Sequence, residues 1–308
     1  MLFIVSAIFA PTSVSKGALL GMLPFAAVLA IAALGQTLVV QQGGFDLSIA
    51  GAISLTVVIC THEAHGDNSK LLPAVLLAFV VAIAAGLLNG TLIGRLGINP
   101  IVATLGTNAL LYAGVLGLSG GTPRRTTDLL ARIAGNDSFG IPNSVYFAVT
   151  AVAVVTIAMK MTVSGRRFEA VGANPVAARA TGLRVRTHRT SAYVWAQVLY
   201  WLAGVMLAGI VAQPSAFQGD SYLLPSVAAV VLGGTSLLGG RGYLVASALA
   251  ALFLTQLGQF VVTLGVSFAV QTIVQAAALA IGVALYTVNW SSLWRQIKPA
   301  SAAVVSTP

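Results

Sequence analysis

The chain has 308 residues, 57% of them hydrophobic and only 7% charged, with a formal net charge of +9. A soluble domain carries about 25% charged residues, and no soluble fold of this length has enough interior to hide so much apolar surface. The basic balance does not mark a nucleic-acid partner, because residues 191–288 hold only Asp220 and Arg241 as formal charges and residues 71–123 only Arg95, whereas a phosphate-tracking groove needs Lys and Arg spread along it.

Residues 1–10 are apolar but lack a basic leader and a cleavage site, so they do not read as a signal peptide. Phe3–Ala10 reads instead as the tail of a helix, which makes 1–17 a truncated N-terminal segment. A spanning helix needs about 20 mostly apolar residues. Segments 18–42, 43–61, 71–94, 99–118, 143–163, 191–213, 223–238, 243–263 and 267–288 meet or approach that length. The fold expected is an all-α polytopic transmembrane helix bundle of about nine spans. Segment 223–238 is short enough to be re-entrant or tilted. The Gly43-Gly44 break between the first two spans is either a turn or a kink inside the membrane. The transmembrane domain is thus expected over 18–290, followed by a disordered cytoplasmic tail over 291–308.

The loops set the orientation. Lys160, Arg166, Arg167, Arg179, Arg184, Arg186 and Arg189 face a single acid, Glu169, so the loop 164–190 belongs in the cytoplasm. Counting back and forth from it, Arg95, Arg241, Arg295 and Lys298 fall inside. The loops 62–70 and 119–142, with Asp220 and Lys16, fall outside. One cysteine, Cys60, allows no intramolecular disulfide and no cysteine-based metal site. His62 and His65 are expected in a short solvated loop, and no metal site or catalytic residue is expected.

Three stretches stand out. In the basic loop, Asn174 suits an N-cap, Pro175 a first helical position and Gly182 the position after the C-cap. A two-turn helix bearing Ala177 and Ala178 follows, either a solvated connector or a peg for a groove on a partner. Leu232–Gly242 contains Thr235 and Ser236 among glycines, and is either a tight inner turn or a functional loop. In Gly43–Ser48, Asp46 is expected near a membrane boundary as the N-cap of the next helix, with Ser48 in its first turn. A proton relay is the less favoured reading. Gln36, Asn89, Thr104, Thr107, Asn108, Gln197, Gln256, Gln259, Gln271 and Gln275 lie inside spans. They suit a hydroxyl-rich solute or, more commonly, hydrogen bonds between helices. No Gly-x-x-x-x-Gly-Lys-Ser/Thr occurs, so no P-loop ATPase site is expected in the chain.

These blocks in this order resemble the ribose-type permeases of ABC importers, the binding-protein-dependent transport inner-membrane component family. The blocks are Gly35–Val39 before Gly44–Ser48, Gly90–Gly94 with Pro100 and Ala103–Thr107, Ala170–Asn174 with Ala177–Arg179 and Gly182, and Gly233–Ser236 with Gly239–Gly242. The resemblance covers about residues 17–290. It implies a permease of ten spans, the first largely missing here, in a bacterial inner or plasma membrane. Implied partners are a separate ABC ATPase subunit that binds the ATP, an extracytoplasmic solute-binding protein and a second permease subunit. It implies that Glu169, Gly172, Asn174, Ala177, Ala178 and Gly182 lie on the segment coupled to the ATPase. It implies a monosaccharide as cargo, with Gln36, Asp46, Asn89, Thr104, Asn108, Thr235 and Ser236 as candidates for the pathway or gate. The competing function is a secondary transporter or channel for a small neutral solute, which would need an intramembrane charge path.

Overall fold

The computed structural model describes residues 2–267 continuously and scattered positions from 269 to 284. The expected span 267–288 is therefore described only in part, and Gln271, Gln275 and the tail 291–308 lie outside the described residues. Twelve α-helices occur among the described residues: α1 Leu2–Phe9, α2 Lys16–Gln41, α3 Ile49–His62, α4 Leu71–Gly94, α5 Pro100–Ser119, α6 Asp128–Gly135, α7 Asn143–Met161, α8 Val163–Ala173, α9 Pro175–Ala180, α10 Val185–Ile210, α11 Asp220–Leu232 and α12 Leu244–Thr263. Six helical segments are long and apolar enough to cross a membrane, while α3 and α11 are apolar but shorter. The chain is an all-α membrane bundle.

Helix α10 is the central element and packs against α2, α3 and α4. Small residues make this possible, because in lipid the association of helices rests on close backbone approach. A Cβ on Gly90 would lie 2.7 Å from Thr190 Cγ2, and one on Gly86 would lie 2.7 Å from the Val194 Cα. Gly35 of α2 meets Ala196 and Tyr200, and Gly204 of α10 meets Thr56 of α3. The pairings show that α2 and α4 run antiparallel to α10 and that α3 runs parallel to it. With the basic loop inside, α2 descends to the inner face, and the chain turns back at residues 42–48 to begin α3. The Gly43-Gly44 break is thus a full reversal, not a kink.

Two expectations are corrected. His62 is the last residue of α3 and is buried, not part of a solvated loop. Asp220 does not sit in an outer loop. It opens the short helix α11, next to Gly219, whose N–H donates to Ser54 Oγ at 2.9 Å. The stretch 211–219 therefore dips from the outer end of α10 back into the bundle. The outer loop 119–142 also holds structure that the sequence did not announce: α6 lies across α10, with Gly209 against Leu130, and a two-residue antiparallel hairpin pairs Asp137 with Pro142.

The packing gives a direct test. Gly90→Val places two methyls against Thr190, and overpacking of this kind costs about 1–3 kcal/mol. It is expected to lower the melting temperature of the detergent-solubilised protein. Gly117→Val, where nothing lies within 4 Å of the added carbon, is expected to leave it unchanged; scanning fluorimetry on both variants measures the difference.

Candidate functional site

The sequence-predicted residues fall into an inner junction and a buried polar network. At the junction, α9 forms as expected. Asn174 Oδ1 accepts from the N–H groups of Val176 and Ala177 at 3.1 and 3.0 Å, and Gly182 takes a left-handed φ of +83° after the helix. Ala178 is buried on a small cluster with Val171 and Val185, so the underside of α9 is fixed to the protein. Its upper side is free: Val176 is 79% exposed, and Ala177 and Ala180 are exposed. The Glu169 carboxylate pairs with Lys160 Nζ at 2.6 Å, tying α8 to the inner end of α7.

Gly172 has a different place from Ala177. It is buried, and any side chain there would strike the carbonyl oxygen of Gln41 at the end of α2. The same Gln41 carbonyl accepts the Gly240 N–H at 2.9 Å, and Gln41 Nε2 donates back to the Gly240 carbonyl at 3.2 Å. Gln42 Nε2 donates to the Phe168 carbonyl of α8 at 2.8 Å. Gly239 and Gly240 hold φ near +90° and +87°, and a Cβ on Gly240 would approach the Ala173 Cα at 3.0 Å. The two glycine-rich breaks, far apart in sequence, thus meet each other and the end of α8. Thr235 Oγ1 accepts the Tyr243 N–H at 3.1 Å, and the Ser236 N–H donates to the Arg241 carbonyl at 3.2 Å. Both brace this loop and are not joined to the polar network.

The network surrounds the start of α3. Asp46 is fully buried. Its Oδ1 accepts from the Ser48 N–H at 2.9 Å and from the Ser48 hydroxyl, and its Oδ2 accepts from Gln197 Nε2 at 3.3 Å. Ser48 Oγ in turn accepts from Asn89 Nδ2 at 2.9 Å and Gln197 Nε2 at 2.8 Å, and Thr107 donates to Asn89 Oδ1 at 2.6 Å. One hydroxyl therefore uses its donor and both acceptor sites. The expected cap is reassigned. Ser48, not Asp46, occupies the N-cap position, and Asp46 holds the Ser48 N–H from two residues earlier. Thr104 Oγ1 accepts the Leu47 N–H at 3.0 Å, and Asn108 Oδ1 accepts the Gly51 N–H at 2.8 Å. Two neighbours on α5 thus supply what a local cap does not. Gln36 stands apart: its Oε1 accepts from the Tyr200 hydroxyl at 2.8 Å. Asp46 is sealed within the protein, in the turn between α2 and α3.

Sequence reasoning singled out neither Gln41, Gln42 nor Tyr193. Tyr193, whose hydroxyl is buried without a partner among the described residues, lines a pocket of about 210 Å³ with Gly43, Gly44, Asn99 and Arg189 at the inner break. Two glutamines next to two glycines at a span end were the available signal. No group of three or more metal-binding side chains occurs among the described residues.

Spanning helices joined by a basic segment that carries a capped, half-exposed helix make this an α-helical multi-pass membrane protein. The chain belongs to the family described as "branched-chain amino acid transport system / permease component", which matches residues 18–284. It is 33% identical over 275 residues to a probable ABC transporter permease protein of Sinorhizobium fredii, covering 89% of this chain and 82% of that one. It is 32% identical over 290 residues to the ribose import permease protein of Bacillus subtilis, covering 92% and 89%. It is 31% identical over 261 residues to the fructose import permease protein of Bifidobacterium longum, covering 82% and 72%. No solved structure matches the chain. The chain is a multi-pass ABC permease of the bacterial inner membrane.

Removing the amide of Gln197 strips donors from both Asp46 and Ser48 in a dry interior. Gln197→Leu is expected to destabilise the protein by about 1–3 kcal/mol, read as a lower midpoint in thermal unfolding of the purified protein.

Proposed function

We propose that this chain is the membrane-spanning subunit of an ATP-driven importer that carries a monosaccharide such as ribose. The observation that carries this reading is α9. Its small, exposed upper face suits a groove on a partner, and its underside is packed onto the permease, so a push on α9 is not absorbed by a flexible loop. The relatives named for ribose and fructose import support the substrate class.

In this reading ATP is bound and hydrolysed by a separate ATPase subunit, and the permease itself is not an enzyme. An extracytoplasmic binding protein delivers the sugar, and a second permease subunit completes the pathway. The apolar segment 267–288 of the sequence is long enough to supply a further span. Closure of the ATPase moves α9 and α8. Gly172, pressed on the Gln41 carbonyl, passes that movement to the end of α2, and the paired bonds between Gln41 and Gly240 pass it to the α11–α12 break. Alternating access then follows as two packings of one bundle biased by nucleotide. Glu169 and Asn174 hold the shape of the coupling segment, Ala177 meets the partner, and Gly172, Ala178 and Gly182 let the segment pack and turn. Asp46, Asn89, Thr104, Asn108 and Gln36 fix α3 and α2 in register. Thr235 and Ser236 shape the inner loop as a gate.

Two variants test the coupling in proteoliposomes with the cognate ATPase and binding protein. Ala177→Arg sets a long cation on the docking face and is expected to lower both uptake and stimulated ATP hydrolysis by more than about tenfold, at normal membrane abundance. Gly240→Ala forces a side chain into a left-handed backbone and against Ala173; uptake is expected to fall while ATP hydrolysis continues. Uptake that persists in the absence of any ATPase subunit would overturn the importer reading.

A further inference from the structure

The structure points to a sugar-contact site formed by Asp220, Phe217 and Tyr112 where the dipping stretch 211–219 meets α3 and α5; this assignment rests on the importer reading above. Asp220 was expected in an outer loop, and its true position changes its meaning. Gly219 sits so close to α3 that any side chain would strike the Ala50 carbonyl oxygen, and its N–H is held by Ser54 Oγ at 2.9 Å. Ala50 lies twelve residues before the outer end of α3 at His62, about 18 Å along a helix rising 1.5 Å per residue. Tyr112 of α5, whose hydroxyl donates to Asp220 Oδ1, lies seven residues before the end of that helix at Ser119, about 10 Å. The carboxylate therefore sits well inside the bundle.

An acid at that depth is costly against lipid and is tolerated where it faces water or a partner group. Asp220 is exposed, and neither ion pair among the described residues involves it. Irregular backbone within the hydrocarbon region is likewise confined to protein interiors and water-lined cavities. The exposed side of Asp220 thus faces an aqueous path.

The groups around it select the ligand chemistry. Tyr112 occupies Asp220 Oδ1, which leaves Oδ2 to accept from a hydroxyl pair. The Phe217 ring is 41% exposed and meets Tyr112 edge-on, with centroids 5.4 Å apart and planes at 69°. Its free face offers an apolar platform for the C–H face of a sugar ring. Gln218 turns its Oε1 to the Ser215 N–H and hydroxyl, each at 3.1 Å, so its amide NH₂ is presented as a donor. A carboxylate without a cation repels phosphorylated or acidic solutes and welcomes neutral polyols. The site rides on α3, whose first turn joins the Asp46–Ser48 network beside the inner break, so movement at the break reaches it.

The test uses the complete transporter in proteoliposomes, with D-ribose and D-fructose as probes, comparing the unaltered protein with Asp220→Asn and Phe217→Ala. Both variants are expected to lower uptake by about tenfold or more, while membrane abundance and nucleotide hydrolysis by the attached ATPase stay within about twofold, unlike Ala177→Arg, which loses both. Uptake by the unaltered transporter that both variants leave within twofold overturns the site and spares the importer reading. A loss of uptake accompanied by loss of abundance or of hydrolysis assigns these residues to folding or coupling and also overturns it. No uptake of either sugar by the unaltered complex overturns the monosaccharide reading and this site with it.

Discussion

The carbonyl of Gln41 is the contact on which the inner half of the molecule depends. The last carbonyls of a helix have no partner within it. Here one of them is bonded by the Gly240 N–H, and Gly172 and Gly239 pack against it. Three chain segments converge on one atom because three glycines remove the side chains that would keep them apart. Were any of them larger, the end of α2, the end of α8 and the α11–α12 break would be forced apart. The basic segment would then hang from the bundle as a loop instead of being seated on it.

The start of α3 depends on a different set of contacts. Helix α3 is short, and it begins inside the bundle, where its first N–H groups find no water. Asn108 of α5 satisfies the Gly51 N–H and Asp46 the N–H of the N-cap Ser48, Thr104 takes the Leu47 N–H just before the helix, and Ser48 links Asp46 to Asn89 and Gln197. Polar residues inside the spans therefore serve first to begin a helix in a dry place. The exposed Asp220 is the exception, since its carboxylate is only half used by Tyr112. The two acids thus differ in kind: Asp46 is sealed, and Asp220 is open.

The proposed coupling rests on α9, a helix that is free on one side and fixed on the other. Ala177 and Ala178 are adjacent and chemically identical, yet one is exposed and the other is buried against Val171 and Val185. Composition marks both as small; only the direction of each Cβ separates the exposed surface of the helix from the packed one. The same holds for Gly172, which lies on the coupling segment but turns into the bundle.

Much was legible in the chain alone. Hydrophobic length gave the positions of the six long apolar helices, and the arginines marked out the basic segment that carries α9. Asn174, Pro175 and Gly182 gave the limits of α9, because capping and left-handed turns are decided within a few residues. The short helices α3 and α11 were harder. Both are apolar but shorter than a span, and where each begins is set by neighbours, α5 and α10 for α3, and α3 and α5 for α11. Asp220 was misplaced for this reason, since nothing local reveals that 211–219 folds back inward. The meeting of the two glycine-rich breaks was equally hidden. A backbone bond between Gln41 and Gly240 joins residues almost two hundred positions apart, and such a contact follows from how helices pack, not from what either segment prefers. The sequence by itself determined a helical membrane protein with a capped helix in its basic segment, through local propensity and the cost of charge in lipid. Only the tertiary structure decided which polar groups are sealed, which are open and which backbone atom joins the coupling segment to the bundle, because those depend on distances between segments that the chain does not fix locally.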